Sequence, residues 1–311
     1  MRIIISFLFI CLSFSLPAQE KEICVSVDDL PFVGYGVNDP ASLRKMTNQL
    51  LESFITHEVP AIGFVNEKKL YVSKRNKLKA SQVDLLKVWL NNGFELGNHT
   101  YSHFSYHHTP FATYTEDIIK GEKVSKPLSE KYSLPYRYFR HPFLRIGLRK
   151  TQHDSLTAFL HQHQYEEAPV SVDNEDYLFA KAYAIASRKK DEALMKKIGL
   201  YYVDYMMEKL AYFEGRSEAL LGRNIRHILL IHANKINADY FSLLADRMKA
   251  KGYTFVSMER ALEDPAYKTE ITKYGNYGIS WLDRWALSKG VPGDFFKDDP
   301  RSPDYIYEMT K

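Results

Sequence analysis

Apolar and polar positions follow two rhythms along this chain. Short apolar runs recur at EICVSV (22–27), AIGFV (61–65), FELGN (94–98), RYFRHP (137–142), EAPVSVD (167–173), IRHILLIHA (225–233) and YTFVSM (253–258). Runs of this length, bounded by turn-forming residues, predict strands. Between them lie segments with apolar residues three and four apart: 41–58 behind Pro40, 81–93 with Ser81 as a cap and Gly93 as a stop, 113–128, and 148–164. These predict helices. Strands alternating with helices give βα units and a parallel sheet. The number of units suits a closed (β/α) barrel better than an open sheet. No internal repeat or low-complexity stretch interrupts the pattern.

Two segments break the rhythm. Residues 188–221 carry one long helical stretch rich in Met and Tyr, read as an insertion with a packing face. From Asp264 onward the chain is rich in Pro, Gly and aromatic residues. It reads as an irregular tail wrapped on the barrel, anchored by WLDRW (281–285).

Length and composition allow this. The chain has 311 residues, 45% of them apolar and 14% aromatic, enough for a sizeable core. The first 18 residues have one basic residue, an apolar run from Ile3 and Pro17-Ala18 before polarity changes. They predict a secretory signal peptide cut near Ala18, since the run is short for a bilayer span. No second run of membrane length follows. The predicted organisation is leader 1–18, barrel 19–263 with its helical insertion, and tail 264–311. The formal charge is +4, and one positive charge, Arg2, leaves with the leader. So small and mixed a charge argues against a nucleic-acid partner. Cys11 also leaves, so Cys24 stands alone among apolar neighbours, a buried strand residue without a disulfide.

In a βα barrel the active site gathers at the C-terminal ends of the strands. That rule picks out Asp28 and Asp29 after 22–27, His99 and His103 in HTYSH, Arg140 in FRHPF, Asp173 and Asp176 in SVDNEDY, and His232 in LLIHAN. His99 and His103 would share one face, and one metal, if a helical turn begins after their strand. Taken singly, each residue has an ordinary role: an aspartate caps a turn, Arg140 makes a surface ion pair, and His232 is a satisfied core histidine. Asp173 is read as a turn or cap, and His107 and His108 as a solvated loop before Pro110. His141 carries no assignment.

In chain order, these residues resemble the motifs of the polysaccharide deacetylases, the NodB-homology domain or carbohydrate esterase family 4. The resemblance runs from about Cys24 to Met258. It covers the paired aspartate Asp28-Asp29, HTYSH, RHPF, DNEDY and LLIH. Leu30 stands where the family usually has Gly after the aspartates, and Tyr177 where it usually has Trp. The resemblance implies a distorted barrel of about seven strands. It implies a divalent metal, zinc before cobalt or nickel, held by Asp29, His99 and His103. It implies Asp28 as general base, held by Arg140, and His232 as general acid beside Asp176. The backbone N–H of Phe143 would meet the oxyanion, with Tyr177 and Leu230 beside the substrate. The expected reaction is removal of N-acetyl groups from an amino-sugar polymer such as peptidoglycan or chitin. O-acetyl ester hydrolysis, a small non-carbohydrate amide, or an inactive sugar-binding relative are the alternatives.

Overall fold

The computed structural model describes residues 21–72 and 77–311, and the expected leader lies outside them. The chain enters through β1 (Lys21–Val33) and α1 (Pro40–Thr56), then β2 (Ile62–Val65) and a small hairpin of β3 (Tyr71–Val72) and β4 (Lys77–Leu78). Next come α2 (Ala80–Asn91), β5 (Glu95–Asn98), α3 (Phe111–Lys120), α4 (Ser125–Lys131), β6 (Tyr138–Phe139), α5 (Lys150–Gln162) and β7 (Glu166–Glu167). They are followed by α6 (Asp176–Arg188), α7 (Glu192–Leu221), β8 (His227–Asn234), α8 (Lys235–Ala250), β9 (Tyr253–Phe255), α9 (Met258–Leu262), α10 (Trp281–Ser288) and α11 (Asp304–Thr310).

Local chemistry sets several boundaries. Asp39 accepts from the Ser42 N–H ahead of α1, with Pro40 at its first position. Asp191 caps α7, which stops at Gly222 with φ 71°. Ser81 is not the cap of α2, which starts one residue earlier behind Lys79. The strand expected over 167–173 is broken. Only Glu166–Glu167 pair with β6, and Pro169, which has no N–H to give a ladder, separates them from Val172.

The main sheet has seven strands in the order β7-β6-β5-β2-β1-β8, with β9 on the start of β1, and all its pairs are parallel. Its two ends meet. A single bridge pairs Val172 with Leu229 of β8, and the Ser171 N–H donates to the Ile228 carbonyl at 3.0 Å. The result is the distorted barrel with a seam between residues 168–172 and β8.

Alternation along the strands sorts the side chains. On β1, Ile23, Val25 and Val27 face the helical layer and join the large outer core. Cys24 faces inward with Ile62, Phe64, Tyr138 and Ile228, and these plug the base of the barrel. Ser26 and Asp28 continue that inward row. On β8 the same period brings Ile228, then Leu230, then His232 toward the mouth. The sequence thus builds an apolar floor and a polar opening from one alternating pattern.

The segment 264–311 is more regular than expected, because it holds α10 and α11. Trp281 and Trp285 are buried, and the Trp281 N–H donates to the Val170 carbonyl at 2.7 Å, beside the seam. Among the described residues no helix is long and apolar enough to cross a membrane.

Candidate active site

β1 pairs with β8 through Asp28 and then loses register, as it does against β2 beyond Val27. Such an irregularity re-aims side chains. Asp28 sits directly across from His232 on the neighbouring strand. Asp29, the next residue, has φ 67°, a left-handed conformation that costs a non-glycine residue energy. The two adjacent carboxylates therefore leave the strand in different directions.

Asp28 is buried and held by a guanidinium. Arg140 Nη1 lies 3.1 Å from Asp28 Oδ1 and 3.4 Å from Oδ2. Arg140 also donates through Nε to the Ala168 carbonyl and through Nη2 to Ser26 Oγ, over the Phe64 ring. Burial pushes the Asp28 carboxyl above its ordinary value, against the pull of Arg140 and His232. Arg140 holds Asp28 as expected, and burial makes this carboxylate more basic as well.

His99 and His103 do not lie on a helical turn. The loop after β5 is folded by side chains instead. Asn98 Oδ1 accepts from the Thr100 N–H, Thr100 Oγ1 from the His103 N–H, and Asp117 Oδ2 from the Ser102 N–H. Thr100 and His103 have φ of 62° and 58°. The loop still brings both rings to Asp29. His103 Nε2 lies 3.7 Å from Asp29 Oδ1, and His99 Nε2 lies 3.9 Å from it. The His99 Nδ1 faces the Arg140 carbonyl at 2.8 Å, an acceptor, so Nδ1 carries the proton and Nε2 keeps its lone pair. Burial lowers both histidines to about 4, which leaves them neutral, as ligands must be.

This geometry fits a divalent metal. The donor atoms of Asp29, His99 and His103 all lie within 4.8 Å of one another. Asp29 Oδ1 is buried with no hydrogen-bond donor. Two imidazole nitrogens and one carboxylate oxygen make the three-ligand set of an open catalytic site.

Across β1, His232 Nδ1 meets Asp176 Oδ1 at 2.7 Å, and its backbone N–H donates to Asp176 Oδ2 at 2.9 Å. Asp176 is the first residue of α6 and is buried, also bonded by Asn237 Nδ2 at 3.1 Å. Burial opposes a charged imidazole here, but Asp176, then Asp29 and Asp28, outweigh it and raise His232 to about 9. His232 therefore carries its proton at neutral pH.

These groups open into a cleft of about 820 Å³, also lined by Phe143, Tyr177 and Leu230. Phe143 is half exposed with φ 59°, and its ring lies 4.5 Å from that of His103. Tyr177 is half exposed, while Leu230 is buried at the cleft floor. Asp173 also faces the cleft; burial raises it to about 7. His108 is exposed as expected. His107 is not: it is buried, 3.3 Å from the Asn276 amide oxygen, because the tail covers it. His141 is buried against Glu167, which also lies 3.4 Å from His153.

Several groups in or beside the cleft have no counterpart in the sequence reading. Lys69 sits in the 3-10 turn Glu67–Leu70 after β2, and its Nζ donates to the Asp29 carbonyl at 2.6 Å, 3.5 Å from Oδ2. The strand-end rule could have found it. Burial raises Asp29, but Lys69, His103 and His99 together hold its carboxyl well below the usual range. Asp299, Pro300 and Arg301 come from the tail, and Lys209, which pairs with Asp299, from α7. Nothing in their spacing signals a site.

Residues 15–165 match the polysaccharide deacetylase family model. No curated protein matches the chain. Among solved structures, a CE4 family pseudoenzyme from Bacillus anthracis has a TM-score of 0.50 at 13% identity, over 78% of this chain and 66% of its own. A mutant of that pseudoenzyme with restored enzymatic activity has a TM-score of 0.52 at 14% identity, over 78% and 68%. A peptidoglycan N-acetylglucosamine deacetylase has a TM-score of 0.50 at 19% identity, over 79% and 89%. At these identities the likeness is one of fold. The family match takes in the paired aspartate and the HTYSH and RHPF motifs, and over residues 15–165 the chain is similar to the polysaccharide deacetylases.

Proposed function

We propose that this protein is a metal-dependent deacetylase that hydrolyses N-acetyl groups on an amino-sugar polymer, peptidoglycan-like or chitin-like, outside the cytoplasm after loss of residues 1–18. Its catalytic unit is the barrel of 19–263, with 264–311 added as a wall. One observation carries the reading: Asp28 with Arg140 and His232 with Asp176 stand opposite each other on adjacent strands, beside three converging metal-type donors.

Asp29, His99 and His103 would hold the ion, zinc first, with cobalt or nickel as substitutes. Bound there, it supplies a Lewis acid for the acyl oxygen and for water. The chain does the rest. Asp28 takes a proton from the attacking water, its basicity raised by burial and its orientation fixed by Arg140. The Phe143 N–H donates to the oxyanion that forms on the acetyl carbon. His232 gives its proton to the departing amine nitrogen, and Asp176 stabilises the imidazolium until then. Tyr177, Phe143 and Leu230 pack against the sugar. One similar solved structure is a pseudoenzyme; what supports activity here is that Asp28, His232 and the donors Asp29, His99 and His103 line one cleft.

The test is acetate release from N-acetylglucosamine oligomers and peptidoglycan fragments, after chelation and after metal is restored. Acetate that disappears with chelator and returns with zinc is expected. Release from O-acetyl substrates alone would make the protein an esterase. No release from any of them would sink the reading.

A further inference from the structure

The charges lining the cleft do not all cancel within the protein. Asp28 is held by Arg140, and Asp29 faces Lys69 and the two histidines. Glu175 accepts from the Ser302 N–H at 2.7 Å and from the Tyr307 hydroxyl at 2.5 Å. Asp299 pairs with Lys209. Asp173 accepts from the Asn174 N–H. Glu175 and Asp173 thus meet neutral donors, and two guanidinium groups likewise face no carboxylate partner. Arg145 follows the Phe143 loop; its Nη1 donates to Ser105 Oγ at 3.1 Å and it lies 5.5 Å from the Phe143 ring centroid, but its buried Nε has no acceptor. Arg301 comes from the tail next to Ser302, is exposed, and lines the same cleft. Among the described residues neither forms an ion pair with a carboxylate.

An arginine with no acid beside it, in a cleft, is free to take a planar oxyanion in a charge-assisted pair. The neutral parts of the cleft, Phe143, Tyr177 and Leu230, suit a sugar ring and leave the guanidinium groups for a substituent. We propose that Arg145 and Arg301 form a subsite for a carboxylate carried by the glycan close to the acetamido group being cleaved. This rests on the deacetylase reading and narrows it, since an uncharged chitin-like chain would leave both cations unused. The carboxylate could sit on an ether side chain, as in muramic acid, or on a uronic acid ring.

The experiment measures equilibrium binding, so it does not depend on turnover. Full-length protein is titrated with a disaccharide of N-acetylglucosamine and N-acetylmuramic acid and with its methyl ester, then with an N-acetylglucosamine–glucuronic acid disaccharide and its methyl ester. The acid of at least one pair should bind on the order of tenfold tighter than its ester, the scale of one hydrogen-bonded charge. The pair that shows the difference identifies the source of the carboxylate. Arg301→Ala and Arg145→Ala should each shrink the acid-to-ester ratio toward one, and Arg301→Lys should keep part of it. Equal affinity for acid and ester in both pairs, or a ratio unchanged in both alanine variants, overturns the subsite. Acetate release from the same compounds is followed separately. Its absence would defeat the deacetylase reading while a persisting acid preference would still establish the subsite.

Discussion

Asp29 can be changed to asparagine with little disturbance to its backbone, because asparagine tolerates a φ near +60°. That makes Asp29→Asn a clean probe of ligand charge. It should weaken metal affinity, whereas Asp28→Asn should keep the metal and lose turnover. His99→Ala with His103→Ala should abolish the roughly one metal per chain that a three-ligand site implies. Metal content by mass spectrometry checks all three, and the reverse pattern for the two aspartates would mean their roles are exchanged. His232 makes a different prediction. An amine leaves poorly without a proton and a phenolate does not. His232→Ala should cost about 10²- to 10⁴-fold on an acetamide and far less on an aryl acetate. Because Asp176 raises His232 to about 9, the protonated form persists through neutral pH, and the wild-type rate should fall only as pH climbs through that value. Equal losses on both substrates would remove His232 as the acid. The candidate ligands, base and acid could be named from the sequence because they lie at or just past the ends of its apolar runs. Lys69 was passed over because it lies past the end of β2, in the turn Glu67–Leu70, where no side-chain pattern points it at Asp29.

At the scale of elements, the sequence conveyed rhythm better than register. The long helix α7 and the apolar strand β8 were legible from pattern alone. HTYSH was misread as a helical start because side chains of Asn98, Thr100 and Asp117 take the backbone N–H groups that a helix would use. The loop after β6 depends on α10, far along the chain: buried Arg284 donates to the Leu144 carbonyl at 2.6 Å and to the Tyr277 carbonyl at 3.2 Å. Gly278 lies so close to this loop that an added methyl would collide with the Phe143 carbonyl oxygen, a backbone atom that cannot swing aside. Gly278→Ala should therefore shift the Phe143 N–H. A loss of about tenfold or more in kcat is expected, short of the roughly 10²- to 10³-fold for removing an oxyanion donor outright, with metal content unchanged. Wild-type kcat in this variant would show that the loop does not set the rate.

For the whole molecule, the tail has two separable tasks. A chain stopped after Lys297 keeps α10 and the Trp281–Val170 bond but loses the Asp299–Arg301 wall and α11. It should still melt cooperatively while binding substrate less well. A chain stopped at Tyr277 also loses Trp281 and Trp285, two large buried side chains of the core, and should lose its cooperative transition. Calorimetry separates the two, and a full-length-like melt for the shorter chain would refute the buttress. The anchor was legible in WLDRW, but the wall was not, because nothing in the spacing of Asp299, Pro300 and Arg301 signals a site.

The seam beside that buttress has a consequence for how the protein fails when warmed. Arg140 holds Asp28 with one side of its guanidinium and grips the seam with the other, through the Ala168 carbonyl. The barrel there is joined by one bridge, whereas β1 and β8 pair over six consecutive residues. Sub-global opening should therefore begin at this join. Amide hydrogens of Ser171, Val172 and Leu230 should exchange together, ahead of those in β1. Each opening frees the guanidinium from its anchor and lets the base drift, so heat inactivation should set in below the melting temperature and reverse on cooling.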